Sequence, residues 1–533
     1  MAEQSLKPRR YNWTGWFAPT VIVLVYVAGR MGLVPFLEPR SLELLANTIR
    51  LGLLTSLVAV PIGLAIALLL HVADLPGKRI FWLSMVALFF TPVYLQVAAW
   101  DATFGLQGWI SNTILDNGTW AVLSGWTGAV VVHAACAVPW TVMLLSLGLR
   151  QMDGQLVDAM ALQNKSSNIL FQLLLPLLAP WCGLATLWIM VTTATEITVT
   201  DVYQIRTFAE EVYTGFALGD GLLEAQARTV PAVLLMICLL CCLRPLLSQT
   251  WKVQQQFSHR RPLAFQLHRT KWIAWLTLLV LWCGLTVVPI SGLVVKAGIQ
   301  VTDGDEGRIR TWQGTKLIEN VISSPVRYAD EFGWSFLLCS TTALLVTGLS
   351  IALVGSRRYS ASQWMAWPLI MVGLAVPGPV LALSIGWCLN HLPFSAAHFL
   401  YDQTIFAPVL ALVTRSFPLA YLVTSMAWQA LDRSIFEQAE LLGLSSRRTL
   451  AQVALPQILP SLIAAWLIAT TVAFSDLSAT ILAVPPGVMT LSIRIFNLVH
   501  YGVEDRLAGL CLAVAILVTI VAVGIAKLLQ YED

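Results

Sequence analysis

The sequence predicts an all-α polytopic membrane protein of about 12 transmembrane helices in two parallel six-helix repeats. Three observations carry this. Of 533 residues, 57% are hydrophobic and only 11% are charged, with a mean hydropathy of +0.74, whereas a soluble domain carries about 25% charge. The apolar runs are roughly 18 to 28 residues long, which suits helices crossing a core of about 30 Å and not the short alternating strands of a membrane barrel. The chain also repeats itself at a spacing of about 280 residues.

Taken in order, the N-terminal MAEQSLKPRRYNWTGW is basic like a signal-peptide n-region. No small-residue cleavage site follows, and the apolar run continues past Arg30, so it reads as an uncleaved first span. Spans are expected at about 16–35, 48–72, 80–100, 119–148, 176–200, 229–249, 272–296, 334–355, 364–388, 405–429, 457–483 and 507–528. An even number puts both termini on one side. Lys and Arg concentrate in one set of short connections, from Lys7, Arg9 and Arg10 through Lys78 and Arg79, Arg150 and Lys165, to Arg433, Arg447 and Arg448, while 101–118 has none. The termini and the basic loops are therefore expected in the cytoplasm.

The repeat is direct. PVYLQVAAW (92–100) parallels PVLALSIGW (379–387), and LLLPLLAPWCGLATLWIMVTTATEITVT (173–200) parallels VALPQILPSLIAAWLIATTVAFSDLSAT (453–480). This divides the chain into a first membrane domain, 1–249, a basic linker, 250–271, and a second membrane domain, 272–533. Two parallel copies imply a pseudo-twofold axis along the membrane normal with a pathway between them.

Net charge of +3 says little about partners, and the nine cysteines lie in or beside apolar runs, Cys238, Cys241 and Cys242 included. They read as packing residues; no metal site and no disulfide framework is expected. The seven histidines are scattered, and no G-x-x-x-x-G-K-[ST] phosphate loop occurs. No catalytic set is expected in this chain.

The ionisable residues within spans are the candidate pathway or gate groups. Glu196, in TATEITVTD, and Asp476, in AFSDLSAT, fall at equivalent points of the two halves. A carboxylate in hydrocarbon costs at least about 2.5 kcal/mol near the centre. They either line the pathway and pair across the gate, or satisfy hydroxyls and broken-helix backbone. Arg415, beside Pro418, is either a counter-charge or snorkels to an interface. His133 and Arg30 read as structural or interfacial.

Between the fourth and fifth spans of each half lies a polar loop. In FEQAELLGLSSRRTLAQVALPQILPSL (436–462), residues 437–442 suit a short helix and Gly443 a left-handed stop. Ser445 or Ser446 can cap a second helix, and Pro456 and Pro460 open the next span. EQAELLGLSSRRTLAQVALP resembles the EAA loop of type I ABC importer permeases, with Glu437, Ala439, Gly443, Leu455 and Pro456 on its pattern. The first copy, DAMALQNKSSNILFQLLLP, is a weaker match: Asp158 stands for the glutamate, Ala159 fits, Asn164 stands for the glycine, and the loop is one residue shorter before Pro176. The two-times-six-span fusion is similar to the ferric iron type, whose fused relatives also serve thiamine and phosphonates.

The resemblance implies a permease in a bacterial inner membrane, not itself an enzyme. Its two loops would grip a cytoplasmic ABC ATPase dimer that binds the ATP and Mg. A soluble or lipid-anchored binding protein would deliver a small substrate from outside: ferric iron, or a thiamine-, phosphonate- or polyamine-like solute. No nucleic acid partner is implied. The segment 311–334 would then be either a docking surface for that protein or a solvated surface segment tied to the membrane by Trp312, Tyr328 and Trp334. The alternative is an ion-coupled secondary transporter with two six-span halves, using Glu196 and Asp476 as carriers.

Overall fold

A computed structural model describes residues 39–114, 122–150, 152, 169–218, 231, 233–240, 270–304, 307–355 and 359–530. The expected first span (16–35), most of the sixth (229–249), and the basic linker up to 269 lie outside these residues. In chain order the principal elements of the first half are α1 (Pro39–His71), α2 (Lys78–Phe90), α3 (Val93–Phe104), α4 (Gly125–Arg150), α5 (Leu170–Thr195) and α6 (Phe208–Ala217). There follow α7 (Lys271–Gly298), a hairpin of β1 (Ile299–Gly304) and β2 (Gly307–Trp312), and α8 (Gly314–Arg327). The remainder are α9 (Ala329–Val354), α10 (Tyr359–Ala375), α11 (Gly378–His391), α12 (Phe406–Ala430), α13 (Arg433–Leu441), α14 (Leu450–Ser475), α15 (Leu491–Val499) and α16 (Asp505–Gln530).

Among the described residues eight helices are long and apolar enough to cross a membrane: α1, α4, α5, α7, α9, α12, α14 and α16. Two expected spans are broken. The 80–100 span is α2 and α3, bent by 109°, and the 364–388 span is α10 followed by α11. Both breaks sit at a proline, Pro92 (φ −58°, ψ 147°) and Pro377 (φ −57°, ψ 145°). Proline supplies no N–H to the preceding turn and drives the residue before it out of the helical region. The structural equivalent of Pro92 is therefore Pro377; the sequence repeat had set it against Pro379. The connection between the 272–296 and 334–355 spans holds a hairpin and a helix. Its alternation Ile299–Val301 and Ile309–Thr311 was too short to stand out from a polar background.

The repeat reappears in packing. In the first half α1, α4 and α5 pack on one another, and in the second α9, α12 and α14 do the same. Each α5/α14 pair opens with a π turn, Leu170–Leu174 and Leu450–Ala454, in which the N–H groups of Leu175 and Leu455 reach back five residues to Leu170 and Leu450. The wider turn makes room for the rings of Pro176 and Pro456 that follow. The halves also interlock. Helix α7 lies on α3, and α16 lies on α2 and α3, so one core joins Tyr94, Trp100 and Ala129 to Leu293, Leu507 and Cys511.

One close approach fixes the geometry described next. A Cβ at Gly373 in α10 would lie 2.2 Å from the Thr414 carbonyl oxygen of α12. Backbone cannot yield as a side chain can. Gly373→Ala is expected to cost about 1–3 kcal/mol, read as a lowered Tm of the purified chain in detergent, while Gly284→Ala, in open space, leaves Tm within a degree or so.

Candidate functional site

A cavity of about 190 Å³ lies between the two halves. The first half lines it with Gln96, His133, Trp140, Trp188 and Glu196, and the second with Gly373, Arg415, Thr471 and Asp476. All three residues singled out as pathway or gate groups, Glu196, Arg415 and Asp476, thus meet at one place. Alternating helix directions set it toward the end of the bundle opposite the 433–449 loop, called here the far end.

Glu196 and Asp476 each stand one residue past the end of a spanning helix, and each caps the turn that follows. Glu196 Oε1 accepts from the Thr198 N–H (2.6 Å) and Oε2 from the Val199 N–H (3.0 Å). Asp476 Oδ1 accepts from the Ala479 N–H (2.8 Å) and the Ser478 hydroxyl (3.2 Å). The carboxylates therefore satisfy broken-helix backbone, and their free lone pairs remain in the cavity wall. Both spans end at this cap, at Thr195 and Ser475, several residues before the apolar run does.

From here the halves differ. Arg415 Nε donates to Asp476 Oδ2 at 2.9 Å, Nη1 to the Gly373 carbonyl at 3.1 Å, and Nη2 across the halves to Thr195 Oγ1 at 3.4 Å. Arg415 is a counter-charge and does not snorkel. In the first half the residue three before the helix proline (Pro139, against Pro418) is Cys136, so Glu196 has no guanidinium. It faces His133 instead, with Nε2 at 3.7 Å from Glu196 Oε2. That is too long for a hydrogen bond. His133 Nδ1 points at the Ala129 carbonyl (2.9 Å) and must donate to it, which leaves Nε2 of the neutral ring a buried acceptor without a partner. One carboxylate is neutralised; the other is open to whatever occupies the cavity.

His133, structural or interfacial by its sequence, lines the cavity, as does Gln96, which is 6% exposed and which no sequence pattern singles out. The signal available was position: His133 lies one helical turn from Cys136, the counterpart of Arg415. Arg30 lies outside the described residues. Among the described residues no group of three or more His, Cys, Asp or Glu side chains is placed to hold a metal ion.

The far end is pinned by pairs the sequence did not suggest. Arg494 meets Glu331 (2.7 Å), Lys316 meets Asp505 (2.6 Å), and His500 Nε2 meets Asp201 Oδ2 (2.7 Å) across the halves. His500 Nδ1 faces the Phe496 carbonyl at 2.9 Å, so both ring nitrogens are donors and the imidazolium is the form that fits. The bond to Asp201 raises the His500 pKa above the ordinary 6.5, against partial burial, which lowers it. Since the folded value exceeds the unfolded one, the stabilisation is complete below about pH 6.5 and is lost as pH rises through the raised value. Wild-type Tm is expected to fall over that window, and His500→Gln to flatten the fall; thermal unfolding from pH 5 to 9 checks it.

At the opposite end the second polar loop is a helix–turn–helix. Helix α13 stops at Gly443, whose φ is +73°, and the Leu444 N–H bonds to the Ala439 carbonyl (3.0 Å). A short helical turn, Ser446–Thr449, then runs into α14. Ala439 is buried and Glu437 exposed, while Leu441 and Leu442 stand 88% and 79% exposed at the tip. Pro456 and Pro176 occupy the first turns of the α-helical parts of α14 and α5. Asp158, Ala159 and Asn164 lie outside the described residues.

Segment 345–531, which holds this loop, matches the family described as binding-protein-dependent transport system inner membrane component. Over 502 residues, 90% of either chain, the sequence is 23% identical to the Fe(3+)-transport system permease protein FbpB 2 of Haemophilus influenzae. Over 204 residues, 37% of this chain and 69% of the relative, it is 29% identical to the putrescine transport system permease protein PotI of Escherichia coli, in two strains.

Proposed function

We propose that the chain is a multi-pass permease subunit of a type I ABC importer and that it moves a small cation, using a separate ATPase for energy and a binding protein for delivery. The likeness to binding-protein-dependent permeases sets the ion-coupled secondary transporter aside. The observation that carries the ATPase part is the loop tip. Leu441 and Leu442 are apolar, exposed, and held on a short helix that ends in a fixed left-handed turn. Two leucines at the end of a polar loop, beyond the spanning helices, suit a groove on a protein. A rigid helix seated there transmits a push, and Glu437 beside them pairs with basic residues of the groove. The first loop, with Asp158, Ala159 and Asn164, serves the second ATPase subunit.

In this reading the loops and termini face the cytoplasm of a bacterial inner membrane, the domains 1–249 and 272–533 are the two moving halves, and the far end receives the binding protein. ATP and Mg belong to the ATPase. Closure of the ATPase pair draws the two loops together and rocks the halves about the central cavity. Glu196, Asp476 and Arg415 are its gate groups. The cargo is cationic because Glu196 presents a carboxylate that no guanidinium neutralises. Fe(3+) and the diamine putrescine, in the relatives' names, are of that charge class. Ferric iron is the first candidate, since the relative aligned along 90% of the chain carries it in its name.

The test is co-purification of the tagged protein from its own cells in mild detergent. Wild type is expected to bring down an ATPase, and Leu441→Asp/Leu442→Asp to lose it while eluting as a folded chain. If neither form yields an ATPase even after crosslinking, the coupling assignment is wrong.

A further inference from the structure

We propose that helix α8 lies in the membrane–water interface at the far end, with its outward face seated in bilayer phospholipid. This rests on the chain crossing a membrane and not on the identity of its cargo or partners.

Helix α8 has a second apolar face besides the inward one on which Leu317 and Val321 pack against the core. A surface helix turns its apolar stripe inward and its polar side to solvent. Here much of the inward side is polar and specifically bonded. Asn320 Nδ2 donates to the Ala297 carbonyl (3.0 Å), Ser324 Oγ to the Asn320 carbonyl (2.6 Å), and Lys316 Nζ to the Ile299 carbonyl (2.7 Å) and to Asp505. The outward side carries Ile318, Ile322 and Val326, at positions i, i+4 and i+8, which share one face. Ile322 is 70% exposed and Val326 81%. Three branched apolar side chains facing water would be unfavourable; facing the acyl boundary they are not.

The surroundings point the same way. Helix α8 ends at Tyr328 (φ −114°, ψ 34°) and the chain turns there directly into the spanning helix α9. The first turns of α9 expose Phe336 and Leu337. The apolar surface of α8 is thus continuous with a surface that a bilayer already covers. Trp312, at the base of the hairpin, is exposed, and its Nε1 donates to the Val294 carbonyl (3.4 Å); such a ring, apolar with one polar edge, suits the headgroup level. Arg310 and Arg327 are exposed at the two ends of the segment and suit phosphate oxygens. Because α8 packs on α7 and α16, the helices that bridge the halves, lipid on its outer face would hold that frame at a fixed depth.

The experiment is site-specific photo-crosslinking in membranes of intact cells, with p-benzoylphenylalanine placed singly at Ile322, Val326 and, for reference, Phe336. The expected result is a phospholipid adduct at all three positions, seen as a lipid-sized mass gain on the corresponding peptide. A soluble protein crosslinked at Ile322 or Val326 overturns the proposal in favour of a docking surface. A lipid adduct at Phe336 with none at Ile322 and Val326 overturns it in favour of a solvated helix.

Discussion

Arg415→Met is expected to abolish transport and to destabilise the chain by about 3–5 kcal/mol, the usual cost of breaking a buried ion pair by removing one partner. The two side chains are only 15% and 6% exposed. Without the guanidinium, Asp476 keeps the Ala479 N–H and the Ser478 hydroxyl on one oxygen, and nothing remains on the other. The Gly373 carbonyl and the Thr195 hydroxyl lose a donor as well. The double variant Arg415→Met/Asp476→Leu removes both charges at similar volume. It is expected to recover most of the stability, because a buried pair replaced by apolar groups is often neutral, but not transport. Thermal unfolding and uptake, measured on the same three proteins, separate the two roles. A double variant that both folds and transports would reduce the pair to scaffolding.

Gly443→Val is expected to act the other way round, with folding kept and coupling lost. A Cβ at Gly443 meets nothing within 4 Å, yet φ is +73°, a conformation that costs a β-branched residue about 1–3 kcal/mol. The loop is exposed and carries little of the core, so the strain is released locally: the turn opens, the Leu444-to-Ala439 bond breaks, and α13 loses its angle. The variant should reach the membrane at wild-type level and unfold within a few degrees of wild type, while the co-purified ATPase disappears. Gly443→Asn, which tolerates the left-handed region, should retain it. Loss of the ATPase in both variants would mean that contact, not turn geometry, was disturbed.

Much of the candidate site was legible because it rests on local rules. A carboxylate within an apolar run at the same point of two repeats must either line a pathway or satisfy broken-helix backbone, and Glu196 and Asp476 cap broken helices in the wall of one cavity. Gly443 was legible because a glycine after a short polar helix is the commonest way to end one. Gln96 was not legible, for the converse reason. Its place in the cavity wall depends on which distant elements pack around α3, and no local pattern records that.

What the sequence determined by itself was the solvent and the repeat: long apolar helices, two similar halves, one polar loop with a fixed turn. These follow from hydropathy, proline and glycine, which act within a few residues. Only the tertiary structure decided that Pro92 and Pro377 bend two of those helices into the cavity wall, that α7 and α16 interlock the halves, and that one carboxylate is neutralised by Arg415 while its twin is left open. Those outcomes depend on which side chains distant elements bring together, and a hydrogen bond needs its partners within about 3 Å.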